Sequence, residues 1–301
     1  MNAISHVGVL GCGLMGSGIA ETAARRGCDV LVIEVSPEAV RTGRRRVQAS
    51  LDRVVRRGKL TTAERDQALA RLAFSTDLGE LADRDLVIEA TAEDRDLKRA
   101  LFRDVDKVLP ADAVLASNTS SIPLTDLATV TGRPDRVVGL HFFNPVPVQA
   151  LVEIIPALTT SADTLDRARR FAVEQLGKTA IEAPDQAGFV VNALLIPYLL
   201  AAVRMVQAGT ATAEDIDRGM ELGCAHPLGP LRLLDLIGLD TAQAIAESLY
   251  EEHAEPLYAP PPLLRRMVTA GHLGRKTGQG FHTYPVPVTR QQATTTNPEK
   301  F

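Results

Sequence analysis

The sequence has few cysteines, no excess of positive charge and no long apolar run, and each absence excludes a class of protein. Its 301 residues include three cysteines, without the paired spacing that a zinc site or a disulfide framework requires. The net charge is −4, whereas binding to nucleic acid phosphates needs a basic surplus. We therefore expect no metal site and no nucleic acid partner.

The longest apolar stretch, residues 189–206, is interrupted by Asn192, Pro197 and Arg204. It is therefore shorter than the ~18 continuous apolar residues of a membrane span. The N-terminal apolar run, residues 7–14, is short and rich in glycine, unlike a secretory signal. These features predict a cytoplasmic protein that does not enter a membrane.

Up to about residue 183, short apolar runs alternate with helical patterns. Continuous apolar runs are typical of buried parallel strands, and helices between them indicate a doubly wound α/β sheet. The predicted strands are Ile4–Leu10, Asp29–Glu34, Leu72–Ser75, Leu86–Ala90, Val114–Ser117, Val137–Leu140, Leu151–Ile155 and Thr179–Glu182.

Two helices, rather than one, separate the second and third predicted strands. The first begins after Ser36, a suitable N-cap, and the second begins at Thr61 with Glu64 placed for a capping box. We interpret residues 36–71 as a helical hairpin arm inserted in an α/β domain of residues 1–184.

The strand pattern ends at Pro184, and residues 185–284 predict an all-α domain. The predicted helices are residues 188–208, 212–222, 231–250 and 262–270. The first is apolar over most of its circumference, which indicates burial, against a second subunit or within the domain. Residues 285–301 contain three prolines and few apolar groups and predict a disordered tail.

A glycine-rich loop follows the first predicted strand and opens a helix. It comprises Gly11, Gly13 and Gly16 with Leu14 and Met15; the glycines permit a tight turn, backbone approach to a pyrophosphate and close helix packing. Glu34 ends the second strand about 20 residues later, where a carboxylate binds the ribose 2′-hydroxyl of NAD and repels the 2′-phosphate of NADP. We therefore predict an NAD site; four arginines at 41 and 44–46 lie too far along the helix to bind a 2′-phosphate.

Further polar groups follow the later strands: a Ser-Asn-Thr-Ser-Ser run at 117–121, His141 and Glu153. Ligands bind outside the carboxyl ends of such strands. His141 can act as a general base, and Glu153, on the next strand, can fix its tautomer. The alternatives are a core histidine whose hydrogen bonds are satisfied and a serine-threonine turn that caps a helix.

The chain up to about residue 284 resembles the 3-hydroxyacyl-CoA dehydrogenase family, and most closely the short 3-hydroxybutyryl-CoA dehydrogenases of bacteria. The resemblance implies a Rossmann-type domain with a helical arm and an all-α dimerisation domain. It rests on these segments in family order: GCGLMGSGIA (11–20), SNTSS (117–121), GLHFFNPVPV (139–148), GFVVNALLIPYL (188–199), HPLGPL (226–231), DLIGLDT (235–241) and LGRKTGQGF (273–281).

The resemblance also implies roles for individual residues. His141 corresponds to the catalytic base and Glu153 to its partner, Ser120 to a ligand of the substrate's 3-oxygen, and Asn192 to a residue near the substrate carbonyl. Asn144 lies in the same pocket. The resemblance also assigns Glu93, Lys98 and Asn118 to the cofactor site. It places Arg56, Arg57 and Lys59 on the arm that covers the CoA phosphates in the family.

The implied function is hydride exchange between NAD and a short-chain 3-hydroxyacyl-CoA, in an oxidoreductase of fatty acid metabolism that forms a homodimer through its C-terminal domain. Gln149 and Ala150 replace the Met-Lys of many members, and Ala193 replaces an arginine, which leaves acyl length open. Two alternatives also stay open. One is a substrate on an acyl carrier protein or a free 3-hydroxy acid, and the other is a non-catalytic NAD-binding or structural protein.

Overall fold

The computed structural model describes residues 3–285. Within that range, eight strands form one sheet at the places that the apolar runs predict. The strands are β1 (His6–Leu10), β2 (Asp29–Ile33), β3 (Leu72–Ser75), β4 (Leu86–Glu89), β5 (Val114–Ser117), β6 (Val137–Phe142), β7 (Leu151–Pro156) and β8 (Thr179–Glu182).

The strand order is β3-β2-β1-β4-β5-β6-β7-β8. Every neighbouring pair is parallel except β6 and β7, which are antiparallel. The chain builds outward from β1 to β3 and then returns to place β4 on the other side of β1. Ligands of doubly wound folds bind at this reversal, outside the carboxyl ends of the strands.

The helices of the first unit cover both faces of this sheet. They are α1 (Leu14–Arg25), α2 (Pro37–Arg56), α3 (Thr62–Ala70), α4 (Arg95–Asp106), α5 (Leu124–Ala128) and α6 (Ala162–Arg170). Apolar side chains of α1, α2 and α6 pack on one face, and those of α4 and α5 pack on the other.

The inserted arm is confirmed as the pair α2 and α3. Ser36 accepts a hydrogen bond from the Ala39 amide at the start of α2. Thr61 and Glu64 exchange both hydrogen bonds of a capping box at the start of α3. Both helices of the arm therefore begin at the residues that the predicted N-caps indicate.

The second unit is helical, as predicted, and the chain divides between Val190 and Val191. Its helices are α7 (Val191–Gln207), α8 (Ala213–Gly223), α9 (Pro230–Ile237), α10 (Leu239–His253) and α11 (Pro262–Thr269). Among residues 3–285, no helix combines the length and apolar character needed to cross a bilayer. Apart from Pro285, the predicted tail 285–301 lies outside the described residues.

The single helix predicted for residues 231–250 is wrong. Gly238 has φ 102° and ψ 128°, which is far from helical, and it separates α9 from α10. The apolar period continues across this break, so the hydrophobic pattern alone does not reveal it. Helix α7 is buried along much of its length within the single chain, but Leu194 is 73% exposed.

Replacement of Gly238 by alanine should destabilise the protein by about 1–3 kcal/mol, because a β-carbon is strained in this backbone conformation. The matched control is Gly219→Ala, at an exposed position inside α8 where an added β-carbon meets no atom within 4 Å. That change should stabilise by about 0.5–1 kcal/mol. Urea unfolding followed by circular dichroism measures both, and equal midpoints for the two variants would contradict the assignment.

Candidate active site

The loop between β1 and α1 brings its backbone very close to the helix. A β-carbon on Gly16 would lie 1.9 Å from the carbonyl oxygen of Gly11, so only glycine fits. Gly13 is the N-cap of α1 and has no side-chain capping bond, and a β-carbon there would meet nothing within 4 Å. The first amides of α1, which include those of Leu14 and Met15, therefore carry the partial positive charge that favours an anion.

Glu34 is directly tied to this loop. Its Oε1 accepts a hydrogen bond from the Cys12 amide at 2.5 Å, and its Oε2 accepts one from the Val35 amide at 3.2 Å. Burial raises the pKa of the Cys12 thiol to about 12, and the Glu34 carboxylate adds to the effect. Cys12 is therefore a neutral thiol in the loop, and Glu34 places a carboxylate beside it.

Arg46 of the arm makes a contact with the glycine loop that the sequence analysis did not include. Its guanidinium donates a hydrogen bond to the Cys12 carbonyl, while the expectation that Arg46 does not bind a 2′-phosphate stays a prediction. Close packing explains the reach, because Gly43 lies against the Cys12 side chain and lets α2 approach the loop. Arg44 stacks on Phe74 instead, and Arg41 pairs with Glu38.

His141 and Glu153 face each other across the antiparallel pair β6–β7. His141 lies inside β6, which continues two residues beyond the predicted end at Leu140. Its Nδ1 is 2.7 Å from Glu153 Oε2, and the glutamate side chain is fully buried. Since a carboxylate only accepts, Nδ1 carries the hydrogen and Nε2 is left as the acceptor.

Two aromatic rings hold the imidazole in place. The Phe143 ring lies 4.7 Å from the His141 ring, edge to face, and the Phe189 ring lies 5.4 Å away. The other carboxylate oxygen of Glu153, Oε1, accepts a hydrogen bond from the Val190 amide at 3.0 Å. Both partners of the His141–Glu153 pair are thereby fixed in orientation.

Glu93 organises the loop that contains Ser120. Its Oε1 accepts hydrogen bonds from the Thr119 hydroxyl at 2.6 Å and from the Ser120 and Ser121 amides at 2.9 and 3.1 Å. Burial acts to raise the pKa of Glu93, but the Lys98 ammonium and these hydrogen bonds outweigh it and leave the pKa below its usual value. Glu93 therefore binds the loop as a carboxylate.

Lys98 joins Glu93 to a second carboxylate that the sequence interpretation missed. Its Nζ lies 2.7 and 2.8 Å from the two oxygens of Glu89 and 3.3 Å from Glu93. Glu89 also accepts from the Ser117 hydroxyl, and both Lys98 and Glu89 are buried. Glu89 is the last residue of an apolar strand next to β1, and Glu34 directly follows β2 on the other side of β1, so the position of Glu89 could have marked it as a site residue.

The remaining predicted site residues fall into two groups. Asn118 is close to the histidine strand, because its Oδ1 accepts a hydrogen bond from the Phe142 amide at 2.9 Å, and Asn144 follows that strand and is exposed. Arg56, Arg57 and Lys59 are exposed on the arm, and Asn192 is buried in the first turn of α7 in the second unit.

Among residues 3–285, no three histidine, cysteine or acidic side chains come close enough together to hold a metal ion. The arrangement instead offers an anion-binding loop, a carboxylate beside it and an imidazole with one nitrogen available. Such a set can hold a dinucleotide and move a proton at a nearby oxygen.

Comparison with known proteins agrees with this chemistry. Residues 6–186 match the NAD-binding domain of 3-hydroxyacyl-CoA dehydrogenase, and residues 188–284 match its C-terminal domain. A 3-hydroxybutyryl-CoA dehydrogenase of Mycobacterium tuberculosis is 55% identical over 94% of this chain and 99% of its own length.

Two solved structures have the same fold over 94% of this chain and the whole of theirs. The crystal structure of FadB2 from Mycobacterium tuberculosis superposes with a TM-score of 0.94 at 54% identity. That of (S)-3-hydroxybutyryl-CoA dehydrogenase from Ralstonia eutropha superposes with a TM-score of 0.89 at 47% identity. Both domain models and these full-length likenesses place the chain in the 3-hydroxyacyl-CoA dehydrogenase family.

Proposed function

We propose that this protein interconverts a short-chain 3-hydroxyacyl-CoA, 3-hydroxybutyryl-CoA, and the corresponding 3-ketoacyl-CoA with NAD. The observation that carries the proposal is the 2.7 Å contact between His141 Nδ1 and Glu153. That contact leaves Nε2 as a proton acceptor, in a chain whose relatives are named for this reaction. Membership of the family indicates which substrate and reaction to propose, and the His141 imidazole supplies the proton transfer that this reaction requires.

In the oxidative direction, His141 Nε2 accepts the proton of the 3-hydroxyl group as hydride leaves C3. Glu153 stabilises the imidazolium through Nδ1, and its burial strengthens that interaction. Ser120 donates a hydrogen bond to the same substrate oxygen. Proton transfer of this kind contributes ~10²–10⁴-fold to the rate.

NAD, when bound, supplies the hydride acceptor, and the residues of the first unit fit it. The glycine loop holds a diphosphate at the start of α1, where a β-carbon on Gly13 would meet no protein atom within 4 Å and the backbone is therefore open to a ligand. Glu34 accepts a hydrogen bond from the ribose 2′-hydroxyl and repels a 2′-phosphate. The Arg46 guanidinium already donates a hydrogen bond to the Cys12 carbonyl. The Glu34 carboxylate therefore determines the preference for NAD over NADP.

Glu93 and Lys98 act indirectly in this proposal. Glu93 orients Ser120 through the loop amides, and Lys98 holds Glu93 from its buried side. Asn118 fixes the end of β6 beside His141 and, with the loop, borders the cofactor site. Asn144 and Asn192 bind the thioester end of the substrate, and Arg56 and Lys59 attract its CoA phosphates.

We also propose that the protein is a cytoplasmic homodimer of fatty acid metabolism and pairs through the second unit. Leu194, Tyr198, Ala201 and Met205 recur at intervals of four, three and four residues and so form one stripe along α7. Leu194 is 73% exposed and Met205 is 41% exposed. An exposed apolar stripe on an otherwise buried helix is typical of a subunit interface.

The activity assay follows NADH oxidation with acetoacetyl-CoA, its longer homologues, acetoacetyl-carrier protein and free acetoacetate. We expect the highest kcat/KM with acetoacetyl-CoA. His141→Gln should lower kcat ~10²–10⁴-fold while NADH binding, measured by fluorescence, stays within about twofold. Preference for the carrier protein or the free acid would favour those substrates instead, and near-normal turnover by the variant would show that His141 is not the base.

Glu34→Ala should weaken NAD binding about 10- to 150-fold, because a charged hydrogen bond to the ribose is worth about 1.5–3 kcal/mol. It should also raise the affinity for NADP, since the repulsion of its 2′-phosphate is removed. Glu38→Ala serves as a matched control, because that exposed carboxylate pairs with Arg41 on the same helix surface. An unchanged ratio of NAD to NADP affinity in Glu34→Ala would exclude the ribose assignment.

Met205→Glu should shift the protein from dimer to monomer by placing a charge in the apolar stripe. Sedimentation velocity over a concentration series measures the shift. Gln207→Glu adds the same charge at an exposed position two residues later, about 200° around the helix from Met205 and so outside the stripe, and it should leave the dimer intact. If the wild-type protein sediments as a monomer throughout, the interface does not exist.

A further inference from the structure

The chain leaves the first unit through a turn at residues 188–190, and Phe189 in that turn has an unusual backbone conformation. Its φ is 48°, in the left-handed region where a bulky side chain is strained. Two other non-glycine residues between 3 and 285 have a positive φ, Ala225 and Ala254, and both lie at the C-terminal ends of helices, where chains often adopt this conformation. Phe189 ends no helix. Strain of this kind persists where the surroundings impose it, and it is common at active sites.

Packing and hydrogen bonding hold Phe189 in this conformation. Its amide donates to the carbonyl of Gln186 at 3.0 Å, and Gly188 before it is also left-handed, with φ 75°. The Phe189 side chain is 5% exposed and belongs to the same hydrophobic core as Val137 and Ile155. Burial of the ring therefore offsets the strain in the backbone.

This core lies on the face of the sheet that carries the proposed catalytic pair. Side chains alternate between the two faces along a strand. His141 therefore shares a face with Val137 in β6, and Glu153 shares that face with Ile155 in β7. The Phe189 ring contacts this core and lies 5.4 Å from the His141 ring, centroid to centroid.

The next residue of the turn contacts the other member of the pair. The Val190 amide donates a hydrogen bond to Glu153 Oε1 at 3.0 Å, while Oε2 of the same carboxylate meets His141 Nδ1. The backbone dihedral angles of Phe189 set the direction of its ring relative to the Val190 amide. One strained residue therefore controls a contact to each member of the pair.

We propose that Phe189 is a positioning residue for proton transfer, because its left-handed backbone places its ring on the His141 imidazole and the Val190 amide on Glu153. This inference rests on the proposed function and adds a residue to which the family resemblance gives no role. The hydrogen bond at Nδ1 alone lets the imidazole pivot, and the Phe189 ring restricts that movement. Nε2 thereby stays within hydrogen-bond reach of the substrate oxygen, and a displacement of about 1 Å there lowers a rate ~10²-fold.

Phe189→Leu tests the ring, because leucine is apolar but presents no aromatic face to the imidazole. Single-turnover reduction of acetoacetyl-CoA by NADH, followed by stopped-flow absorbance, gives the rate constant and the amplitude separately. We expect the rate constant to fall ~10- to 10²-fold while the amplitude and the NADH affinity stay within about twofold. A merely structural role would lower the amplitude through loss of folded protein and leave the rate constant unchanged, and that result overturns the proposal.

Phe171→Leu is the matched control, since Phe171 is likewise a buried phenylalanine and belongs to the core on the other face of the sheet. It should keep the wild-type rate constant. Equal rate constants in Phe171→Leu and Phe189→Leu would contradict a specific role of the Phe189 ring.

Phe189→Gly and Phe189→Ala test the backbone, because both remove the ring but only glycine adopts a φ of 48° without strain. Phe189→Gly should unfold at a higher urea concentration than Phe189→Ala. It should also have the larger rate constant, since its Val190 amide stays on Glu153. Equal stabilities or equal rate constants in the two variants would overturn the proposal.

The His141 Nδ1 proton provides a measurement that does not depend on turnover. Its magnetic resonance signal in isotopically labelled protein is identified by its loss in His141→Gln. Phe189→Leu should speed the exchange of this proton with water, whereas Phe171→Leu should not. If the wild type reduces no acetoacetyl-CoA, the proposed function itself fails, and unchanged proton exchange in Phe189→Leu is the result that overturns the role of Phe189.

Discussion

The site depends on the antiparallel pairing of β6 with β7. In a parallel pair, a residue at the carboxyl end of one strand has the carboxyl end of its neighbour beside it. Here β7 runs the other way, so Glu153 lies near the start of its strand and directly opposite His141. The 2.7 Å contact between their side chains follows from this register, because directly opposed residues on one face of a sheet lie within reach of each other.

A one-residue slip of this register would separate the pair completely. Side chains alternate between the faces of a strand, so a slip would turn Glu153 to the other face. The apolar neighbours prevent it, because β6 and β7 are buried and their residues belong to cores on opposite faces. The hydrophobic core thus fixes the geometry of the polar pair, which burial then strengthens by excluding water.

A second buried network links the strand ends to the serine loop. Lys98 forms ion pairs with both Glu89 and Glu93, and Glu93 accepts hydrogen bonds from the backbone amides of residues 120 and 121. Such a buried ion pair contributes little net stability, but loss of one partner is costly because the other charge is left unpaired. The network therefore holds the serine loop in one conformation at the carboxyl ends of the central strands, where ligands of this fold bind.

Local patterns in the sequence determined much of the fold. Apolar runs located all eight strands, and Ser36, Thr61 and Glu64 located the arm, because strand burial and helix capping act over a few residues. The break at Gly238 was missed because glycine is also compatible with a helix interior, and only the structure shows that its φ is 102°. The reach of Arg46 to the glycine loop was missed for a similar reason, since it depends on how closely α2 approaches through Gly43.

The sequence by itself determined the family, the NAD loop and the candidate residues His141 and Glu153, since these depend on motifs of neighbouring residues. Only the tertiary structure decided which side chains meet. It oriented β7, enclosed Lys98 between two carboxylates, and placed the Phe189 ring against His141 although they are 48 positions apart in the chain. Contacts of this kind depend on how separate elements pack around a common core, and no local pattern of residues encodes them.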